Sequence, residues 1–248
     1  TLVVDREHDF TTIPPGAVHE RPDGSRKLTA FYDFFPYTGI HRPVWLYCTS
    51  REYIRDLTVI TEIDGNAGTV RYRVDTHGGG ESDVSVTLKD ADGGVTAEGT
   101  GAAGELTVAN ARLWSPEDPY LYDLVVRLGD ADEYIQPVGI RTVAVTDSGI
   151  LLNGSPIYLT GYGRHEDNIG IGKGHNDALM VRDFQLMKWQ GANSFRTSHY
   201  PYAEEVYDLA DRMGFLIIDE TPAVGLSVSR HGMFSQMLSR LSGGPELP

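Results

Sequence analysis

Arg196-Thr-Ser-His-Tyr-Pro-Tyr202 and, shortly after it, Phe215-Leu-Ile-Ile-Asp-Glu220 decide how this chain is read. The first segment carries a strand into a polar end and then into a proline-started helix. The second is a buried apolar strand that closes in two carboxylates. In a parallel α/β barrel the strand ends are where chemistry sits, because the loops there converge on one cleft. The same pattern stands upstream, where strand-like Ile157-Tyr-Leu-Thr-Gly161 runs into Gly163-Arg-His-Glu-Asp167. Three successive strands therefore end in polar clusters that would face one pocket.

Around these segments the apolar spacing predicts two helices. Asp177 to Gln190 carries Met180, Phe184 and Met187 on one face, with Gly191 as its stop. Glu204 to Met213 follows Pro201 and carries Val206, Leu209, Ala210 and Met213 at i, i+3, i+4 and i+7, and Gly214 ends it. With Asn193-Ser-Phe-Arg-Thr197 between them, strands and helices alternate, which implies βαβ units and a parallel sheet. Three strands are a fragment of an eight-stranded barrel, with unpaired edges and an uncovered interior. The expectation is a polypeptide that continues beyond Pro248, the alternative a small open sheet. The segment from Ser227 to Pro248 has loop composition.

From about residue 50 to 142 the character is different. Val70-Arg-Tyr-Arg-Val74, Val84-Ser-Val-Thr-Leu88, Leu106-Thr-Val108 and Leu124-Val-Val-Arg-Leu128 alternate with period two, one face to a core and one to water. Asp90-Ala-Asp-Gly-Gly94 suits a hairpin. Short strands at this spacing indicate an antiparallel sandwich of immunoglobulin-like size. Before it, strand-like pieces are parted by the turn signals Pro14-Pro15-Gly16 and Pro22-Asp-Gly24. The chain opens on Thr1-Leu-Val-Val without Met or a signal-peptide pattern, as if entered in mid-domain.

Composition bounds the partners. Lys and Arg number 21 against 35 Asp and Glu, a net charge of -14. Nucleic acid and anionic membrane both need a basic footprint, so neither is expected, and no apolar run approaches a membrane span. The single cysteine, Cys48, excludes an intrachain disulfide and fits a reducing, cytoplasmic setting. Its run, Val44-Trp-Leu-Tyr-Cys48, predicts a buried small side chain rather than a nucleophile.

Each polar cluster has a structural reading beside the functional one. His165 suits contact with sugar hydroxyls better than metal, because neighbouring residues on an extended strand end point apart and no second His falls at helical spacing. Glu166 and Asp167 could equally make an ion pair with Arg164 or Arg196. His199, a lone His, gains a functional reading from its place between two other polar strand ends. Arg196 at the rim needs a carboxylate, which Asp219 or Glu220 could supply. Those two cannot both flank a glycosidic bond, since neighbours on a strand face opposite ways. Gly170-Ile-Gly-Lys-Gly174 lacks a phosphate-loop spacing and reads as a flexible loop. Asn153-Gly-Ser155 matches a glycosylation acceptor but reads as a turn into Pro156. Asp33, among aromatics in Phe31-Tyr-Asp-Phe-Phe-Pro-Tyr37, is either a carbohydrate contact or a surface turn.

Taken together, several stretches resemble the β-glucuronidases of glycoside hydrolase family 2. They are Asp33-Phe-Phe-Pro-Tyr-Thr-Gly-Ile-His-Arg42, Leu113-Trp-Ser-Pro116 with Pro119-Tyr-Leu-Tyr122, Val138-Gly-Ile-Arg141, Gly161-Tyr-Gly-Arg-His-Glu-Asp167, Met187 to Tyr202, and Ile217 to Gly225. The resemblance implies the end of a jelly-roll sugar-binding domain over 1–49, an immunoglobulin-like sandwich over 50–142, and the start of a TIM barrel over 143–248. It implies that Asp33, His165 and His199 bind substrate, with Arg196 and Glu220 supporting the pocket, and that no cofactor or metal is used. It further implies a retaining hydrolase of β-D-glucuronides, a homo-oligomer at full length. In the family the acid/base Glu lies in an Asn-Glu pair at the fourth strand and the nucleophile near the seventh. No Asn-Glu pair occurs here, so no catalytic residue is expected within the chain. The rivals are a non-catalytic carbohydrate-binding or scaffold module and, last, a small α/β enzyme using His165 and Glu166.

Overall fold

The computed structural model describes residues 2–5, 7–9, 11–30, 32, 34–35, 37–80, 83–222 and 224. Near the start, β1 (Gly16–Glu20) and β2 (Arg26–Ala30) pair as an antiparallel hairpin, Gly16 opposite Ala30 and Glu20 opposite Arg26. Its turn is the Pro22-Asp23-Gly24 signal, with Gly24 at a left-handed φ of 79°. The run after it departs from expectation. Val44, Trp45, Leu46 and Tyr47 are all exposed, Leu46 at 98%, and Cys48 is exposed with them. Apolar composition alone does not bury a segment; a second layer must cover it, and none of the strands or helices among the described residues includes it.

Seven strands then form two antiparallel sheets. They are β3 (Tyr53–Asp64), β4 (Ala67–His77), β5 (Val84–Lys89), β6 (Val95–Thr100), β7 (Ala103–Val108), β8 (Tyr122–Leu128) and β9 (Asp132–Val138). One sheet has the order β3-β4-β7 and the other β6-β5-β8-β9, an immunoglobulin-like sandwich. The period-two pattern sets the faces: Val70, Tyr72 and Val74 of β4 point inward while Arg71 and Arg73 face out. Val84, Val86 and Leu88 meet them from β5, and Leu124, Val126 and Leu128 from β8. Each such side chain contributes about 1.5–3 kcal/mol on burial. Tyr72 fits only because Gly99 and Gly104 lie against its hydroxyl; a Cβ at either would come within 2.8 and 2.6 Å of that oxygen. The hairpin between β5 and β6 is tied by Asp90, whose carboxylate accepts the N–H of Asp92 (3.0 Å) and Gly94 (2.7 Å).

The sandwich is fastened to the α/β segment of the chain through Trp114, which is wholly buried. Its indole N–H donates to the Asp211 carbonyl (2.7 Å), and the Arg141 guanidinium lies over its ring at 4.3 Å. Arg141 in turn pairs with the Asp211 carboxylate at 2.8 Å. A small sheet of β10 (Val143–Thr146), β11 (Gly149–Leu152) and β12 (Ser155–Pro156) continues the chain. Asn153 and Gly154, at φ of 51° and 76°, form the two-residue turn between its last two strands. The Asn153 side chain accepts from Thr142 N–H and donates to the Trp114 carbonyl, both at 3.0 Å. The Asn-Gly-Ser triplet is thus a turn whose amide is engaged inside the fold.

Next come β13 (Gly161–Arg164), α1 (Asp177–Trp189), β14 (Ser194–Thr197), α2 (Glu204–Met213) and β15 (Leu216–Ile218). The strands are parallel in the order β13-β14-β15, the opening of a (β/α)8 barrel. Asn176 caps α1 by accepting the Leu179 N–H (3.0 Å), and Gly214 closes α2 in the left-handed region at φ 77°. Phe184, Phe195 and Phe215 pack edge to face beneath the sheet. The first barrel strand begins later than the Ile157–Gly161 run expected to form it. Asn193 takes the place of regular pairing: its side chain receives the Thr160 N–H (2.7 Å) and donates to the Tyr158 carbonyl (2.9 Å), while backbone bonds reach only the Thr160 carbonyl, from Asn193 and Ser194 N–H (2.9 and 3.2 Å). Pairing starts at Gly161, where a Cβ would come within 1.9 Å of the Ser194 carbonyl oxygen.

Candidate functional site

The ends of β13, β14 and β15 bring three polar clusters together. From β14, Thr197 is fully buried; its hydroxyl donates to Asp219 Oδ1 (2.9 Å) and receives the Glu220 N–H (2.8 Å). One threonine therefore sets both carboxylates that come after β15. Tyr207 of α2 also donates to Asp219 (2.7 Å), so Asp219 is consumed by structure. Glu220 turns the other way. Its Oε1 pairs with Arg196 Nε at 2.9 Å and its Oε2 accepts from His199 Nδ1 at 2.9 Å. A carboxylate on Nδ1 favours a proton on that nitrogen and fixes the orientation of the ring.

Aromatic rings frame this histidine. His165 lies 5.4 Å from His199 in a T-shaped arrangement, and Phe34 lies 5.7 Å from His165, 5.9 Å from His199 and 5.6 Å from Tyr200. The Tyr200 hydroxyl sits 3.4 Å from His165 Nδ1 and accepts the Glu166 N–H at 3.3 Å. Burial pushes the Tyr200 hydroxyl pKa up to about 12, so it stays a neutral donor and acceptor. Next to it Lys173 lies over the Tyr200 ring, 3.1 Å from the centroid. Burial, with Arg42 adding to it and Glu166 opposing, lowers that ammonium to about 8. His41 is likewise pushed down, by burial first and then by Lys173 and Arg42, which keeps its ring neutral at ordinary pH. Phe34, Tyr37, His41, Lys173, His199 and Tyr200 form one wall of a cleft of about 500 Å³, and residues between Val3 and Pro14 form another. That size suits a sugar-sized ligand.

His165, His199, Arg196 and Glu220 thus come together at the strand ends. Asp33 lies outside the described residues, although its neighbours Tyr32 and Phe34 stack on each other at 4.8 Å and Phe34 reaches the histidines. Glu166 pairs with neither Arg164 nor Arg196. It takes Arg42 (3.3 Å), from the segment between β2 and β3, whereas Arg164 of β13 takes Asp183 of α1 (2.9 Å). The Gly170–Gly174 loop is closed by Asn168 N–H to the Gly172 carbonyl (2.8 Å) and Gly172 N–H back to Asn168 (3.0 Å). Gly170 and Gly172, at φ of 89° and 55°, permit the turn that delivers Lys173. Sequence reasoning missed Lys173, Tyr200, His41 and Phe34. Only a lysine embedded in a glycine-rich turn next to a polar strand end hinted at the first.

Two family models match the chain: Glycosyl hydrolases family 2 over residues 52–141, and Glycosyl hydrolases family 2, TIM barrel domain, over residues 143–247. A beta-glucuronidase of Paenibacillus borealis is 47% identical over 237 residues, covering 92% of this chain and 40% of that protein. One from Felis catus is 47% identical over 244 residues, 91% of this chain and 38% of that protein. Among solved structures, a beta-D-glucuronidase of Dictyoglomus thermophilum aligns with a TM-score of 0.84 at 43% identity, covering 90% of this chain and 40% of that one. The β-glucuronidase of Ruminococcus gnavus in complex with uronic deoxynojirimycin gives 0.83 at 45% identity, 90% and 39%. The chain spans about two fifths of the length of these relatives. Two matched stretches running through the sandwich and the barrel strands lead to one conclusion: the chain belongs to glycosyl hydrolase family 2.

Proposed function

We propose that this sequence is the substrate-binding part of a retaining β-glucuronidase. The observation that carries the reading is the convergence of His165, His199, Tyr200 and Phe34 at the ends of parallel strands, beside a sugar-sized cleft. Rings of this kind stack on a sugar face while imidazoles exchange hydrogen bonds with its hydroxyls. His199, oriented by Glu220, makes a hydrogen bond with a sugar hydroxyl; His165 and Asp33 contact neighbouring hydroxyls; Arg196 holds Glu220 in place. Glucuronides are the substrate class because the Paenibacillus borealis and Dictyoglomus thermophilum relatives bear the name beta-glucuronidase. The bond-breaking carboxylates, a nucleophile and an acid/base about 5 Å apart in a retaining site, belong to parts of the barrel beyond this sequence.

The test is hydrolysis of an aryl β-glucuronide by the complete polypeptide that carries this sequence, beside the 248 residues alone. Turnover is expected from the first and none from the second. Hydrolysis by the short chain would overturn the division of labour, and none by the long one would overturn the substrate class. His199→Ala in the complete polypeptide is expected to weaken binding about 10- to 100-fold, as loss of a hydrogen bond to a buried sugar hydroxyl does.

A further inference from the structure

We infer that Glu166 is a positioning residue, holding the loop from His199 to Ala203 in the shape in which His199 and Tyr200 meet the sugar. What the loop binds rests on the proposed glucuronidase function; how it is held rests on geometry. The N-cap of helix α2 is Ala203, which has no side-chain oxygen to accept the free N–H groups of the first turn. Glu166 supplies that acceptor from another strand end: its Oε1 receives the Ala203 N–H at 2.8 Å. A carboxylate there also faces the positive end of the helix. Its Oε2 pairs with Arg42, and the same Arg42 nitrogen donates to the Pro201 carbonyl at 2.8 Å. One ion pair thus grips Tyr202 from both sides, through the Pro201 carbonyl before it and the Ala203 amide after it.

The backbone of the same residue completes the grip, since Glu166 N–H donates to the Tyr200 hydroxyl. The Glu166 side chain is 10% exposed, which leaves little water to replace a lost contact. Both carboxylate oxygens are engaged, one by the Ala203 amide and one by a guanidinium, so the group is built to hold the loop rather than to move a proton. Arg42 comes from the stretch just after Phe34 and Tyr37, so the clamp also joins the aromatic wall to the strand ends.

The test compares Glu166→Ala, Glu166→Gln and wild type in the complete polypeptide, by amide exchange over residues 199–207 and by kinetics on an aryl β-glucuronide. In Glu166→Ala, exchange in that segment is expected to quicken about tenfold, and KM to rise about tenfold with kcat within about threefold. Glu166→Gln keeps an oxygen for the Ala203 amide and is expected to restore most of both. Unchanged exchange in Glu166→Ala overturns the clamp, and faster exchange with an unchanged KM overturns the positioning role. Should Glu166→Ala fail to fold, Arg42→Gln carries the test: it must quicken exchange and raise KM, and unchanged values overturn the inference. A wild type that cleaves no glucuronide overturns the substrate reading instead, while exchange still decides the clamp.

Discussion

The sandwich core, from Val70 on β4 to Ile140 after β9, is lined by apolar side chains throughout, and its charges pair outside, as where Arg71 bridges Glu62 and Glu105. In the α/β segment the buried polar side chains gather on β14 and just past its end: Ser194, Thr197 and Ser198, the buried polar residues among those described. Both regions bury their strands, but the sandwich's buried hydroxyls bond backbone, as where Tyr122 receives the Arg112 N–H (2.8 Å), whereas in the second a buried hydroxyl sets carboxylates at the strand end. A strand end made this way must orient carboxylates and histidines, since each buried polar group has to be satisfied by a partner in one geometry.

The comparison breaks most visibly at the seam between the two regions. Trp114→Ala is expected to cost about 3–5 kcal/mol in chemical denaturation, by cavity formation and loss of the indole contact to Asp211. A loss below about 1 kcal/mol would mean that the sandwich and the barrel strands are not coupled there. Thr197→Val sharpens the contrast, because it keeps shape and removes only hydrogen bonding. About 1–3 kcal/mol is expected, together with weaker ligand binding as Asp219 and Glu220 lose their common partner. A neutral outcome would make this strand end as inert as the sandwich.

The smallest effect is read in pH. Lys173 titrates at about 8 in the fold against an ordinary 10.5. Between those values the unfolded chain holds the extra proton, so stability rises with pH over that window, and the cost of the buried charge is fully present below about 8. Tyr200 opposes this above about 10, because the unfolded phenol ionises first while burial holds the folded one to about 12. Lys173→Met is expected to abolish the rise and keep the fall. A rise that survives the substitution would move its origin elsewhere.

Local pattern was enough for much of this architecture. Period-two runs such as Val70–Val74 marked strands, the stops at Gly191 and Gly214 marked helix ends, and the helix from Glu204 to Met213 stands as its spacing predicts. Patterns of this kind survive because backbone geometry enforces them residue by residue. Where a side chain from a distant segment intervened, local reading failed. Asn193 moved the start of the first barrel strand, and Val44–Cys48, outside every strand and helix described, is exposed where its composition predicted burial. The site divides along the same line. Spacing placed His165, His199 and Glu220 after strands and Arg196 within one, and the structure brings these four together; their part in binding rests on the proposed function. That Glu220 rather than Asp219 serves His199, that Glu166 answers Arg42, and that Lys173 lies against Tyr200 depend on residues brought together from far apart in the chain. Sequence by itself determined which residues would stand at the strand ends; only tertiary structure decided their partners, because hydrogen bonds and ion pairs are chosen by distance in space.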